Sequence, residues 1–508
     1  MDSSKTESVL IGNGLNIQID GDDYLNKWII VRLLARAKAG EYDELFMDNK
    51  GEPIVTGKDI VMLFNGMVTI ANKARKNEYD QVVIESNKTD IIQALKDFKS
   101  RYTYKITSVE QIGMEDWFLI LLLFLIEQSD ILDQYESAKQ GFERMILDSI
   151  YCGGEIQKLH SKMGKTARTY FKNFENIFTV NYDNNLEKIT NAPVFHLHGD
   201  FFSKSISENP DNAYGYLRKQ NGQNIEFSPR FEHCNCNAIL DFSGKRKYEL
   251  ATNMTKAYME FEDIKKMSKD DKNNYFSLLT QLPEEQREII EIGIEKDLFL
   301  GHNYHFQDFE QLTGTLTIIG LAPQNDDHIF KCINKSNIEN VIFYNYFGDK
   351  SDSEIAKEIK SISLGIDKPY TIKNIKEVWE KTNLHKPKNS TIYIEVLRNK
   401  KGSDFMMDFT NTIYGKNNVL IDDIVRQLKS IPKATEEIIY KMMHTEISKT
   451  RYHSTPQSEQ ELMQNFIDFG EILKVSSISP QALYFLYIIK QQPNKKNRTK
   501  AKKKKRKR

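Results

Sequence analysis

Four short runs of β-branched and aromatic residues, spread over some three hundred positions, each end at once in a glycine-bearing or polar loop. Ser8–Ile11 runs into GNGLN, Asn176–Val180 into NYDNN, Val194–Leu197 into HGD, and Leu316–Ile319 into GLAPQND. Short β-branched or aromatic runs followed at once by such loops are the pattern expected of buried parallel strands. A fifth run, Val341–Tyr344, follows a helical stretch that begins near Asp326, so the last two make a βαβ unit. The pattern predicts an α/β fold with a Rossmann-like parallel sheet. In open sheets of this kind ligands bind beyond the carboxyl ends of the strands, and the four polar loops all fall there.

The spacing between runs predicts the rest of the organisation. Residues 22–174 have mainly helical periodicity and are expected as a helical insertion, and residues 201–301 as a lid-like excursion between two strand ends. The sheet-bearing domain is placed at residues 1–365. After it, a strand-like run at Thr391–Leu397 and several amphipathic helices, the last opening at Ser479–Pro480, predict a mainly helical C-terminal regulatory or interaction domain over 366–490. The apolar run Trp117–Ile126 is too short to span a bilayer and is expected as a buried helix.

Charge adds one constraint. Lysine plus arginine and aspartate plus glutamate both number 71, but eleven of the basic residues lie in Lys495–Arg508. The remainder carries 60 basic against 71 acidic residues, which argues against a nucleic-acid groove on the main body. Weak nucleic-acid contact is expected only through the tail, residues 491–508, whose composition predicts disorder. The four cysteines, Cys152, Cys234, Cys236 and Cys332, fit neither an extracellular disulfide framework nor paired zinc-binding C-x-x-C motifs. With no apolar segment of signal type near the start, a cytoplasmic location without membrane attachment is expected.

Each loop carries a chemical reading beside a plain one. Gly12 and Gly14 would let backbone N–H groups approach a pyrophosphate, or merely make a tight strand exit; Asn13 and Asn16 sit in the same loop. Asn181, Tyr182 and Asp183 would face the cleft, although Asp183 or Asn184 equally suits the cap of a following helix. His196 and His198 are expected on one face of a strand. Without a third ligand nearby they read better as a structural or acid/base pair than as a metal site, with His198 the candidate base and His196 a hydrogen-bonded, partly buried residue. Gly320 would let the chain pass under a bound nucleotide, and Asn325 or Asp326 would hydrogen-bond a ribose, while the two acids at 326 and 327 also suit a helix start. The Gly301–His305 cluster reads as ordinary loop.

Taken in order, GNGLN, NYD, HGD and GLAPQND resemble the sirtuin-like NAD-hydrolase domains of bacterial antiphage systems. The chain is also similar to the abortive-infection AbiH family, which shares a GNG start, an NY segment and an HG segment. The resemblance covers roughly residues 8–347, interrupted by the two excursions. It implies that Gly12 and Gly14 hold the diphosphate of NAD, that Asn181 works at the nicotinamide ribose, that Asp183 reads the carboxamide, and that His198 acts beside the ribose. Tyr182 stands where sirtuins usually have an aliphatic residue. The Gly-Asn-Gly loop and the missing zinc-binding cysteine pairs resemble the hydrolase branch rather than the deacylases. NAD is then the substrate, cleaved to nicotinamide and ADP-ribose without a metal. Such an enzyme is expected to be held inactive until a phage-derived trigger or partner protein arrives, and to form homo-oligomers. The alternative is a module that binds NAD or ADP-ribose without turnover and signals through its C-terminal domain.

Overall fold

A computed structural model describes residues 6–385 of the chain except 21–23, 39, 48–53, 86–87, 128–134, 221–228, 241–243, 324–325 and 349, together with isolated positions between 427 and 486. The expected strand at Thr391–Leu397, the Ser479–Pro480 opening of the last expected helix and the basic tail lie outside the described residues, as does Asn325, while Ala482, Leu483 and Leu486 of that helix are helical and buried. The chain divides into two compact units. One comprises Met1–Ile19, Val68–Leu132 and Ile150–Lys386, and the other Asp20–Met67, Asp133–Ser149 and Pro387–Arg508.

The first unit is built on a six-stranded sheet: β1 (Glu7–Ile11), β2 (Asn176–Thr179), β3 (Phe195–His196), β4 (Thr313–Ile319), β5 (Asn337–Asn345) and β6 (Tyr370–Asn374). All neighbours run parallel, in the order β3-β2-β1-β4-β5-β6. This is the Rossmann order, and the chain reverses its direction of winding between β1 and β4, the position at which open sheets of this kind take ligands. The five expected runs are five of these strands. They are recognisable because strands in the interior of a parallel sheet are rich in β-branched and aromatic residues. The sheet continues past the expected boundary at residue 365. Its sixth strand, β6, is an edge with a single buried residue, Ile372, and so offers almost no hydrophobic signature.

The register aligns Leu10 of β1 with Phe178 of β2 and Ile318 of β4, and Ile318 in turn with Phe343 of β5. All four side chains are buried in one cluster with Leu197, Phe306, Phe309, Ile329, Phe330 and Ile333. Burial of each such side chain contributes roughly 1.5–3 kcal/mol. The helices that matter for the strand ends are α1 (Gly14–Asp20), α2 (Thr89–Arg101), α3 (Trp117–Glu127), α4 (Asn185–Thr190), α5 (Gly244–Lys266), α6 (Phe306–Glu310) and α7 (Asp327–Lys335); α8 (Lys376–Thr382) follows β6. The apolar run that forms α3 is a buried helix, with Trp117 through Leu123 and Leu125 all inside. No helix among the described residues is long and apolar enough to cross a membrane.

The second unit has its own polar anchor. Arg32 is fully buried in the helix Asn26–Lys38, and its Nε donates to the Ser149 carbonyl at 2.9 Å. Tyr42 donates its hydroxyl to Asp148 at 2.8 Å, and Arg36 pairs with the same carboxylate. A buried carboxylate held by both a guanidinium and a phenol is compensated, where an isolated one would be costly.

Candidate functional site

The loop after β1 is shaped by the loop after β4. Gly12 donates its N–H to the Ile319 carbonyl at 2.9 Å, and Gly14 donates to the Gly320 carbonyl at 3.0 Å. A Cβ on Gly12 would stand 2.6 Å from the Gly320 oxygen. Gly320 itself has φ +74°, in the left-handed region that favours glycine. The two amides expected to meet a pyrophosphate are thus engaged in joining β1 to β4, and the glycines are required by backbone packing at the switch point. Asn13 is half-buried in the same turn.

Behind this loop Asn16, Asp183 and Asn185 form a buried brace. The Asn16 Nδ2 donates to Asp183 Oδ2 at 2.8 Å, while the backbone N–H and the Nδ2 of Asn185 both donate to Asp183 Oδ1, at 3.1 and 2.5 Å. Burial pushes the Asp183 carboxyl up from its ordinary pKa, against the pull of these three hydrogen bonds. Both oxygens of Asp183 therefore tie the start of α4 to α1, a structural duty where the resemblance implied contact with a carboxamide. The Asn16 Oδ1 is buried without a hydrogen-bond partner. Asn185 completes the brace by donating to the Ile156 carbonyl and accepting from the His160 N–H.

Asn181, 8% exposed, stands beside the glycine loop: its Nδ2 donates to the Gly12 carbonyl at 3.3 Å. Its own carbonyl accepts from His196 Nδ1 at 2.8 Å, and His196 Nε2 meets Glu187 Oε1 at 2.7 Å. With an acceptor at each nitrogen, His196 is built to hold two protons. Burial pulls its pKa down, but the Glu187 hydrogen bond and charge, then Asp200 and the Asn181 carbonyl, outweigh this and leave it raised.

His198 departs from the expected geometry. β3 ends at His196 and the chain turns at Leu197–His198, because Gly199 has φ +80° and packs against the Asn237 carbonyl, so the two histidines do not share a strand face. His198 Nε2 instead meets His328 Nε2 of α7 at 2.9 Å. Each ring is 3% exposed. Burial, Lys247 and His328 hold the His198 pKa well below the usual imidazole range, and burial with Lys247, Lys331 and Arg101 does the same to His328. β3 and β4 are separated by β2 and β1, a lateral distance of about 14 Å at ordinary strand spacing. The loops leaving β3 and β4 thus converge over the two intervening strands.

Around this pair lies a set of charges. Lys247 of α5 is 1% exposed and reaches Glu115 Oε1 at 3.0 Å. Arg101 of α2 pairs with Asp116, which also accepts from the Tyr102 hydroxyl at 2.8 Å. Asp326 precedes α7, and its carboxyl is pushed up to about 7 by burial, then by Glu115, with Lys247 opposing and Asp327 adding to the rise. The expected lid, through α5, and the expected helical insertion, through α2 and the segment before α3, therefore both contribute residues to the strand-end region. Asp200 is not part of this set: its carboxylate accepts from the Phe202 and Ser203 amides and fixes the turn after Gly199.

Sequence reasoning did not single out His328, Lys247 or Glu115. His328 directly follows the acids of the GLAPQND loop, a proximity that was available as a signal. Lys247 sits in GKRKYEL, which reads as a solvated basic face, yet it is buried in the fold, where α5 packs against α7 and Glu115 meets its ammonium. Among the described residues no cluster of three or more histidine, cysteine or acidic side chains is arranged to hold a metal. No known family, characterised protein or solved structure matches this chain.

Proposed function

We propose that the chain hydrolyses NAD at the nicotinamide–ribose bond, with the dinucleotide lying along the β1/β4 switch point. The observation that carries this reading is the sheet order, which gathers Asn181, His198, Gly320 and Asp326 on loops leaving the carboxyl ends of β2, β3 and β4. The resemblance of GNGLN, NYD and HGD to sirtuin-like hydrolases supplies the substrate. Asn181, held against the Gly12 carbonyl, positions the attacking water or a ribose hydroxyl. His198 acts beside the ribose. Asp183 serves through the Asn16 brace, and Asp326, titrating near neutrality, stands as the proton carrier at the ribose end. In the setting the resemblance implies, this is an antiphage effector, cytoplasmic and oligomeric, that a trigger or partner protein switches on.

Purified protein incubated with NAD, with and without lysate of infected cells, is expected to release nicotinamide and ADP-ribose. A second reading is favoured by the burial of His198 and His328, since a ring 3% exposed touches no substrate until something opens. In that reading the chain senses NAD or ADP-ribose without cleaving it. Calorimetric binding with no nicotinamide released in any condition would select it.

A further inference from the structure

We propose that His328 is a positioning residue that fixes the tautomer of His198, holding its proton on Nδ1 so that His198 meets a ligand as a hydrogen-bond donor and not as a base. The inference rests on the hydrolase reading for its substrate and on the histidine pair for its chemistry.

Two neutral imidazoles joined through their Nε2 atoms share one proton between them, and either ring is the donor. If His198 donates, its Nδ1 carries the lone pair of a base, and His328 must then keep its own proton on Nδ1. That His328 Nδ1 is buried and has no hydrogen-bond partner. An orphaned buried N–H is among the rarest features of folded proteins. Lys247, Lys331 and Arg101 all act against a charged His328, so both rings stay neutral and one must donate to the other. The two acids that precede His328 in the chain do not take a proton from its Nδ1: Asp327 pairs with Lys331 through Oδ2 at 2.7 Å and its buried Oδ1 makes no hydrogen bond, to His328 or to any other group, while the Asp326 carboxyl is itself shifted toward its neutral form. The arrangement that leaves a bare nitrogen in this positive surrounding has His328 donating from Nε2 to His198 Nε2. His198 then carries its proton on Nδ1, and its Nε2 is occupied.

This form suits a dissociative cleavage. Departure of nicotinamide leaves a ribosyl cation that water captures with little help from a base, whereas a fixed N–H donor to a ribose oxygen orients the sugar throughout. His198 does this without changing protonation state, and its depressed pKa keeps it neutral across the physiological range.

The tautomer is read without substrate. Long-range ¹H–¹⁵N correlation spectra of the full chain labelled with ¹⁵N-histidine at pH 7.5, assigned by difference from His198→Asn, are expected to show His198 protonated at Nδ1. His328→Gln, whose amide still donates to His198 Nε2, should preserve that pattern, and His328→Phe should convert it to the Nε2–H form that free imidazole prefers. A wild-type spectrum with the proton on Nε2, or a phenylalanine variant with the pattern unchanged, would overturn the inference. In the nicotinamide assay His198→Asn places an amide N–H where Nδ1–H stood and should stay within about tenfold of wild type, while His198→Ala falls by roughly 10². Equal loss in both variants overturns the donor role. Absence of nicotinamide release beside an Nδ1–H spectrum would sink the hydrolase reading and leave the tautomer standing; release beside an Nε2–H spectrum does the reverse.

Discussion

Gly14 and Gly320 meet backbone to backbone: a Cβ on Gly14 would stand 2.6 Å from the Gly320 Cα, and a Cβ on Gly320 would stand 2.8 Å from the Gly14 Cα. Alanine at either position must therefore push β1 and β4 apart at the switch point, at a cost of about 1–3 kcal/mol. Gly320→Ala should be the worse of the two, since its φ of +74° adds roughly 1 kcal/mol for any L side chain. Urea denaturation midpoints measure both. Were these glycines needed only for a phosphate, the variants would unfold like wild type and lose nucleotide binding alone.

His196 gives stability a pH dependence. Its pKa is raised on folding, chiefly through Glu187, so its contribution is fully present below the unfolded value near 6.5 and is lost as pH rises through the folded value. Glu187→Gln should cost about 1.5–3 kcal/mol at pH 6, the worth of a hydrogen bond between charged groups, and less at pH 9. A loss that is the same at both pH values would show that His196 is neutral in the folded protein.

The His198–His328 pair works in the opposite direction. Both pKa values are depressed on folding, so the unfolded chain binds more protons and stability falls as pH drops below about 6.5 toward the depressed values. Each ring adds up to about 1.36 kcal/mol per pH unit to that slope. His328→Phe should roughly halve this part of the acid sensitivity, measured from unfolding midpoints between pH 6.5 and 5. An unaltered slope would remove the pair from the acid response.

Lys247 joins the surrounding charges. Lys247→Met leaves Glu115 without its ammonium partner and is expected to destabilise by about 1.5–3 kcal/mol. It should also let the imidazoles of His198 and His328 rise toward ordinary values and move the Asp326 carboxyl above its present value of about 7. Histidine and carboxyl resonances followed against pH test this, and resonances that titrate as in wild type would show that Lys247 is screened from all three groups.

How much of this was legible in the sequence depended on whether a residue's partners are local. Strands β1 to β5 announced themselves through a short β-branched or aromatic stretch that is largely buried in each, and the polar residues that follow these stretches were placed at the correct edge for the same reason. The orientation of His198 was not legible, since it follows from the left-handed conformation of Gly199 and from a histidine 130 positions away. The engagement of Gly12 and Gly14 was equally hidden. A glycine loop that accommodates a phosphate and one that accommodates another backbone look alike until the second loop is in place. Lys247 was concealed by a neighbourhood rich in charge, and β6 by its position at the rim, where one inward-facing isoleucine suffices.

The rim position of β6 matters to anyone who shortens the protein. A chain cut at residue 365 would strip the outermost ribbon from the sheet and leave Val341–Asn345 with a row of unanswered amides and carbonyls, which is a template for fibrous self-association. The shortest soluble fragment of the sheet-bearing unit should therefore extend at least through Lys386.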